Sequence, residues 1–391
     1  MNITLNTEQL SKGRALANSW EPAQLLKMLA KNPRTMKNGP LDFEEGHVPE
    51  MLRFKEEGTK GFGNLSGLPN EIVDTIVNIL DMPSAISLSY VNSTANFFVR
   101  KSPVSFLRQW APGLPKLLKQ TRIQKHWTIR ELRDAIRREN CVVCGDLCVQ
   151  LYLPTMERIC HPCMHDNHAY WCLPVEQAAL IFGLDLPDVI NSHTMYLPRL
   201  SRNGFDLGEF GAWVVPVKVA LTRALQLYGT RKAIKRAAEG IMSGIDEAEE
   251  HDISDDGEFV VENQNDIYRA ASLSTHSAPL RSLGLLERPQ MHIYHHDVIC
   301  QVPVVTGNTR KVLQLCRGCT AMLTHTKLKD IHESHMKMMG LDPELDRFER
   351  GFKIYRRAFR VRTEAEMVNH IRTECVGGWI LMCDERQNEK A

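Results

Sequence analysis

Four cysteines fall in two C-x2-C pairs, Cys141 with Cys144 and Cys160 with Cys163, with fifteen residues between the pairs. A C-x2-C turn aims two thiolates at one ion, and two such turns at this separation make the four-thiolate set that zinc takes, with bonds of about 2.3 Å. Such a set closes the tetrahedron and leaves no position for water, so it predicts a structural ion and not a hydrolytic one. Gly145, directly after Cys144, can supply the positive backbone dihedral of such a turn. The intervening VQLYLPTMERI is predicted to form a short hairpin that brings the chain back to the ion. Cys148 and Cys172 are spare and are expected to be buried. His161, His165 and His168 are expected to lie at the surface or to support the ligands.

A second set is C316-R-G-C319 with H370-I-R-T-E-C375. Fifty residues separate its halves and must themselves fold for Cys316, Cys319, His370 and Cys375 to meet around a second zinc ion. His332 and His335 are rival ligands, and His295, His296 and Cys300 are further donors without a fixed partner. Neither set is a RING, which needs eight ligands in interleaved pairs, and no further C-x2-C follows Cys163 within reach. Phosphate-cradling glycine loops, a G-x-S-x-G elbow and H-E-x-x-H are all missing from the sequence, and H332-E-S-H335 has the wrong spacing for the last. No cysteine outside the metal pairs stands out as a nucleophile, so a non-catalytic role is expected.

The elements that must position these ligands belong to a chain of 391 residues, 43% hydrophobic, with 48 Lys and Arg against 47 Asp and Glu and a net charge of +1. That balance gives no global field toward nucleic acid or membrane. The first residues lack a basic start followed by an apolar run, and no window approaches 18 consecutive apolar residues, so neither secretion nor a membrane partner is expected. Cysteines grouped in metal pairs instead of a disulfide framework point to an intracellular protein, in cytoplasm or nucleus. Two basic strips, 100–138 and GFKIYRRAFRVR at 351–362, are the candidate nucleic-acid surfaces. Phe352, Tyr355 and Phe359 have core spacing first, and nucleic acid is not the expected partner.

Composition divides the chain into a mobile tail over 1–62, a helical unit over 63–110 and a basic helical connector over 111–139 whose Trp127, Ile129, Leu132 and Ile136 mark a buried face. A zinc-binding helical domain over 140–245 follows, with a long helix over 215–241 that can break at Gly229. An acidic disordered insert over 246–266 opens with eight carboxylates in thirteen residues, and a C-terminal domain over 267–391 carries the second zinc set.

Within the helical unit, Ile72, Ile76, Ile79 and Leu80 mark one side of a helix that starts near Pro69. Met82 and Pro83 end it, Ser84 is placed to cap a second helix, and Asn92 or Ser93 to cap a third bearing Ala95, Phe97 and Phe98. The pattern Leu68-Pro69, Glu71-Ile72, Ile76, Leu80, Leu88, Val91-Asn92 and Phe97-Phe98 resembles the F-box family over about 35 residues. Followed by the two cysteine sets, it looks like the zinc-bearing F-box proteins common in fungi, a resemblance that also favours the second zinc set. The resemblance implies a mainly α fold: a three-helix F-box-like module, then a helical region with small zinc-stapled hairpin or treble-clef-like elements.

It further implies a substrate-recognition adaptor of an SCF-type ubiquitin ligase. Residues 66–105 would bind the Skp-type adaptor, and through it the cullin-RING scaffold, with Leu68, Pro69, Ile72, Ile76 and Leu88 at or near the contact. The zinc-bearing remainder would hold a protein substrate. The alternative is a zinc-stapled module that binds nucleic acid or protein with no link to ubiquitin. Chelation is expected to melt the region after 140 and leave 66–105 folded.

Overall fold

A computed structural model describes residues 7–33, 63–101, 103–197, 212–249, 298–325, 333–342, 344–345 and 347–388. These residues are mainly helical, and no helix among them is long and apolar enough to cross a membrane. His295, His296, His332 and the acidic stretch from 250 onward lie outside them, while 246–249 complete a helix.

The chain opens with α1 (Thr7–Ser19), α2 (Pro22–Leu29) and β1 (Ala30–Lys31). Six short helices follow: α3 (Asn70–Ile79), α4 (Met82–Ser89), α5 (Ser93–Lys101), α6 (Pro103–Trp110), α7 (Leu114–Gln120) and α8 (Ile129–Arg137). The hairpin of β2 (Gln150–Tyr152) and β3 (Glu157–Arg158) leads to α9 (His161–Asp166). Next come β4 (Cys172–Pro174), α10 (Val175–Phe182), α11 (Leu186–Ile190), β5 (Met195–Leu197), β6 (Ala212–Pro216), α12 (Val217–Tyr228) and α13 (Arg231–Glu249). The last part holds β7 (Ile299–Gln301), β8 (Val305–Thr306), β9 (Thr309–Arg310) and β10 (Leu315–Cys316). Five helices close it: α14 (Arg317–His325), α15 (Glu333–Met338), α16 (Arg347–Phe359), α17 (Glu364–Thr373) and α18 (Val376–Asn388).

Local chemistry sets the helix ends. Pro69 stands at the N-cap of α3, where its missing N–H leaves no helical bond unmade. Asp81, and not Ser84, caps α4 by accepting from the Ser84 amide at 2.7 Å, and Asn92 caps α5 by accepting from the Ala95 amide at 2.8 Å. Gly229, at φ 72°, separates α12 from α13 where the sequence predicted a break. The buried face of α12 is Val217, Ala220 and Ala224; Leu227 is exposed.

Three of the cores matter for the sites. The first joins α3 to α8 with the hairpin and β7, through Val77, Val99, Leu107, Leu118, Leu132, Ile136, Leu151 and Ile299. Residues 111–139 are therefore not a connector: α8 carries a reciprocal Thr128–Glu131 cap, and Ile129, Leu132, Ala135 and Ile136 are buried. The Ile129 amide also donates to the Leu80 carbonyl at 2.9 Å, tying α8 to the end of α3. The expected C-terminal domain also loses its start, because β7 pairs antiparallel with β2, Leu151 facing Cys300.

A second core packs α10 to α13 against one face of the sheet β4–β6–β5. Side chains alternate across a strand, so Leu173 and Val215 enter this core while Cys172 and Val214 enter the first.

The third core corrects the tail expected over 1–62. Leu10, Leu16, Ala17, Leu25 and Leu29 are buried against Met322, Ile371, Trp379 and Ile380 from α14, α17 and α18. A Cβ on Gly13 would lie 2.4 Å from the Trp379 carbonyl oxygen, so α1 and α18 meet backbone to backbone. β1 pairs with β10, and the Arg317 guanidinium donates to the Met28 carbonyl at 3.0 Å. Residues 34–62 lie outside the described set.

Candidate metal centres

The first centre is built from a turn and a helix start. The Cys141 amide donates to the Asp146 carbonyl at 2.7 Å, the Gly145 amide donates to the Cys141 carbonyl at 2.9 Å, and Gly145 takes φ 76°. This tight loop presents Cys141 and Cys144 together, and the Val143 amide lies 3.4 Å from Cys141 Sγ. The hairpin returns the chain so that Cys160 N-caps α9 and Cys163 sits in its first turn. The Val142 amide donates to the Arg158 carbonyl at 2.9 Å and holds the turn against the hairpin.

The second centre combines Cys316 at the end of β10, Cys319 in the first turn of α14, His370 in the last turn of α17 and Cys375 just before α18. The fifty intervening residues carry α15 and α16 and reach round to deliver the histidine. In each centre all four donor atoms lie within 4.8 Å of one another, so each group can hold one metal ion. Sγ of Cys144 and Cys160 are 3.6 Å apart, Sγ of Cys316 and Cys375 3.2 Å, and Cys319 Sγ is 3.1 Å from His370 Nε2. A tetrahedron with 2.3 Å metal–sulfur bonds has edges of about 3.8 Å, and a disulfide would need about 2.05 Å. None of the eleven cysteines is in a disulfide. His335 lies in α15, and Cys300 is in neither group and is buried beside the hairpin.

His370 is oriented from behind. Nε2 faces the sulfurs while Nδ1 lies 3.5 Å from Glu374, whose other oxygen is 3.3 Å from the Arg357 guanidinium. At 3.5 Å the carboxylate makes no hydrogen bond to Nδ1, but its place behind the ring favours Nε2 as the nitrogen that faces the metal.

Close approach of α14 and α18 is what lets this centre form. A Cβ on Gly318 would fall 2.2 Å from the Gly378 nitrogen and 2.8 Å from Cys375 Sγ, and a Cβ on Gly377 2.2 Å from the Gly318 carbonyl oxygen. Gly318→Ala is therefore expected to cost about 3 kcal/mol or more, at or above the upper end of the usual overpacking range. It should weaken metal retention by the second centre and not the first, as read by thermal unfolding and by metal content after competition with a weak chelator.

One helix spans both centres. Phe359 of α16 stacks on His161 at 4.3 Å between centroids and 7° between planes, and Tyr355 Oη shares a hydrogen bond with His161 Nδ1. Arg360 pairs with Asp146 at 3.1 Å and Arg356 approaches Asp166 at 3.9 Å, both on first-centre segments, while Arg357 reaches Glu374 of the second. Tyr355 and Phe359 of the strip at 351–362 thus belong to a joint between the two centres, while Lys353, Arg356 and Arg360 stay exposed. His161, expected at the surface or in support, is buried within that joint.

Arg158 was not singled out by sequence, since an arginine in a strand carries no local sign of burial. It is fully buried, and its guanidinium donates to the carbonyls of Cys148 (2.8 Å), Val302 (3.0 Å), Ile136 (2.7 Å) and Pro303 (2.7 Å). Burial pulls it down to about 10 from its ordinary value, so it stays cationic at neutral pH.

The residues expected at a partner contact separate. Leu68 (37% exposed), Pro69 and Ile72 (47%) face outward, Ile76 is half-buried, and Leu88 is half-buried against the first core. Val73 and Val77 form the inner face of α3. Among the described residues, seven of the thirteen large exposed hydrophobic side chains, Leu65, Leu68, Ile72, Ile79, Tyr90, Val91 and Phe97, fall between 65 and 97.

Compared with known protein families, with curated proteins and with solved structures, the chain matches none.

Proposed function

We propose that the chain is a substrate-recognition adaptor of an SCF-type cullin-RING ubiquitin ligase, in which residues 66–105 bind the Skp-type adaptor and the metal-bearing remainder receives a protein substrate. Both centres hold Zn2+, which suits three or four thiolates in a closed set and supplies folding free energy. The observation that carries the reading is the concentration of outward apolar side chains on α3 to α5. A helix whose inner face is already filled by Val73 and Val77 has no internal use for Ile72 and Ile79 outside. Apolar residues gathered this way on a protein surface mark a partner site. The chemistry is proximity alone: the target is held beside a charged conjugating enzyme at raised effective concentration.

Titration of purified Skp-type adaptor with the full chain tests the reading. Submicromolar binding is expected, weakened at least tenfold, or about 1.4 kcal/mol, by Ile72→Glu with Leu68→Ala. Both side chains are exposed, so circular dichroism should be unchanged. Absence of binding by a folded, zinc-loaded chain would sink the ligase reading and leave a zinc-stapled binding protein.

A further inference from the structure

The two centres differ in how open they are. In the second, Cys316, Cys319, His370 and Cys375 are each at most 8% exposed, and Gly318, Gly377 and Gly378 leave no room for movement around them. In the first, Cys141 and Cys163 are buried, but Cys144 is exposed and Cys160 is half-buried. These two sulfurs are already 3.6 Å apart. Gly145, next to Cys144, has nothing within 4 Å of where a Cβ would stand, so the turn that carries Cys144 is uncrowded on that side.

We propose that the first centre is an oxidative modification site for hydroperoxides, in which Cys144 is the thiolate attacked, Cys160 closes a disulfide with it, and the second centre keeps its ion. The proposal rests on the zinc reading above. Cys144 Sγ attacks a peroxide oxygen, so that an S–O bond forms, the O–O bond breaks and an alkoxide or hydroxide leaves. The Cys160 thiolate then displaces hydroxide from the sulfenic sulfur and forms the S–S bond. Two electrons pass from the two sulfurs to the peroxide, and two protons from solvent convert the released oxyanions to alcohol, or water, and water. The sulfurs must close from 3.6 Å to about 2.05 Å. Only Cys141 and Cys163 remain as donors, too few to retain zinc.

The consequence reaches α16. His161, which Phe359 stacks on, follows Cys160 directly, and Asp146, which pairs with Arg360, lies two residues after Cys144. Oxidation therefore releases the joint between the first centre and the helix that also backs His370 through Arg357 and Glu374.

The test uses the full chain with zinc content measured before and after hydrogen peroxide, together with peptide mapping of the cysteines. Two ions per chain are expected before oxidation, one for each centre, and one afterwards, with a Cys144–Cys160 disulfide, Cys316, Cys319 and Cys375 still reduced, and reloading after dithiothreitol and zinc. Fewer than two ions before oxidation would instead count against the zinc reading itself. Loss from the second centre first, retention of both ions, or loss from the first with Cys144 still reduced would overturn the proposal. Cys144→His keeps a donor but removes the open sulfur, and zinc release by peroxide should slow by roughly tenfold or more, since thiolate exposure sets susceptibility. An unchanged rate overturns it, and if the variant does not load the first centre, the disulfide map of the unaltered chain decides alone.

Discussion

Stripping the ions from the full chain with a strong chelator is expected to unfold the helices at 66–105 together with the cysteine-bearing region. The sequence predicted that these helices would survive alone, but Cys141, Cys148 and Cys163 share one core with Val77, Met82, Ala85 and Val99, and α8 fills the space between them. Structural zinc contributes about 10–16 kcal/mol at neutral pH, while a whole domain is stable by only about 5–15 kcal/mol, so removal exceeds the reserve. The second centre should take the N-terminal helices with it. β1 lies on the strand that ends in Cys316, and Leu29 packs in the same core as Cys375. Far-UV circular dichroism should lose most of its helical signal, and Trp20, half-buried on that core, should shift its emission to the red. Protection of 66–105 from proteolysis in excess chelator would show that the shared core does not couple them. Readdition of zinc should restore both signals.

Arg158→Met is expected to cost about 3–5 kcal/mol, among the largest effects of any single substitution outside the ligands. The guanidinium meets four main-chain carbonyls from three separate segments: the end of α8, Cys148 two residues before β2, and the stretch after β7. Among the described residues no carboxylate forms a salt bridge with it, so its charge is held mainly by carbonyl dipoles, with Glu139 acting from farther off. Methionine fills much of the volume but leaves four carbonyls without their donor in a place that water does not reach, and each unmet buried acceptor carries a penalty of about 1–3 kcal/mol before relaxation. Arg158→Lys should recover only part, because one ammonium on a flexible stem cannot reproduce a planar fork with donors on both arms. Urea denaturation should show a fall in midpoint with an unchanged slope, and detachment of β7 should appear as faster amide exchange at Cys300 and Gln301. A fall below about 1 kcal/mol would mean that water enters and replaces the arginine.

The reading from sequence succeeded where chemistry is written in short spacing. C-x2-C pairs, the glycine after Cys144, the proline before α3, Asn92 as a cap and the break at Gly229 each depend on residues within a few positions, and the structure places them so. The mainly helical character was legible for the same reason. The histidine fifty residues from its cysteine pair was less legible: the sequence offered His332 and His335 as rivals and the family resemblance favoured His370, which the structure brings into one group with the three cysteines.

What only the tertiary structure decided is which distant segments share a core. Leu10 and Leu25 show an ordinary short apolar period, and nothing local says that their partners are Trp379 and Ile371. The strand at 299–301 completes a hairpin more than 140 residues earlier, and Arg158 is buried because two of its four acceptors come from that same late segment. The aromatic strip of α16 has the same sequence whether it faces water, nucleic acid or His161, and only packing settles which. Local spacing fixes dihedrals, caps and ligand turns within a few bonds. Burial is a property of the assembled chain, where apolar area and unmet polar groups from remote segments must be satisfied together.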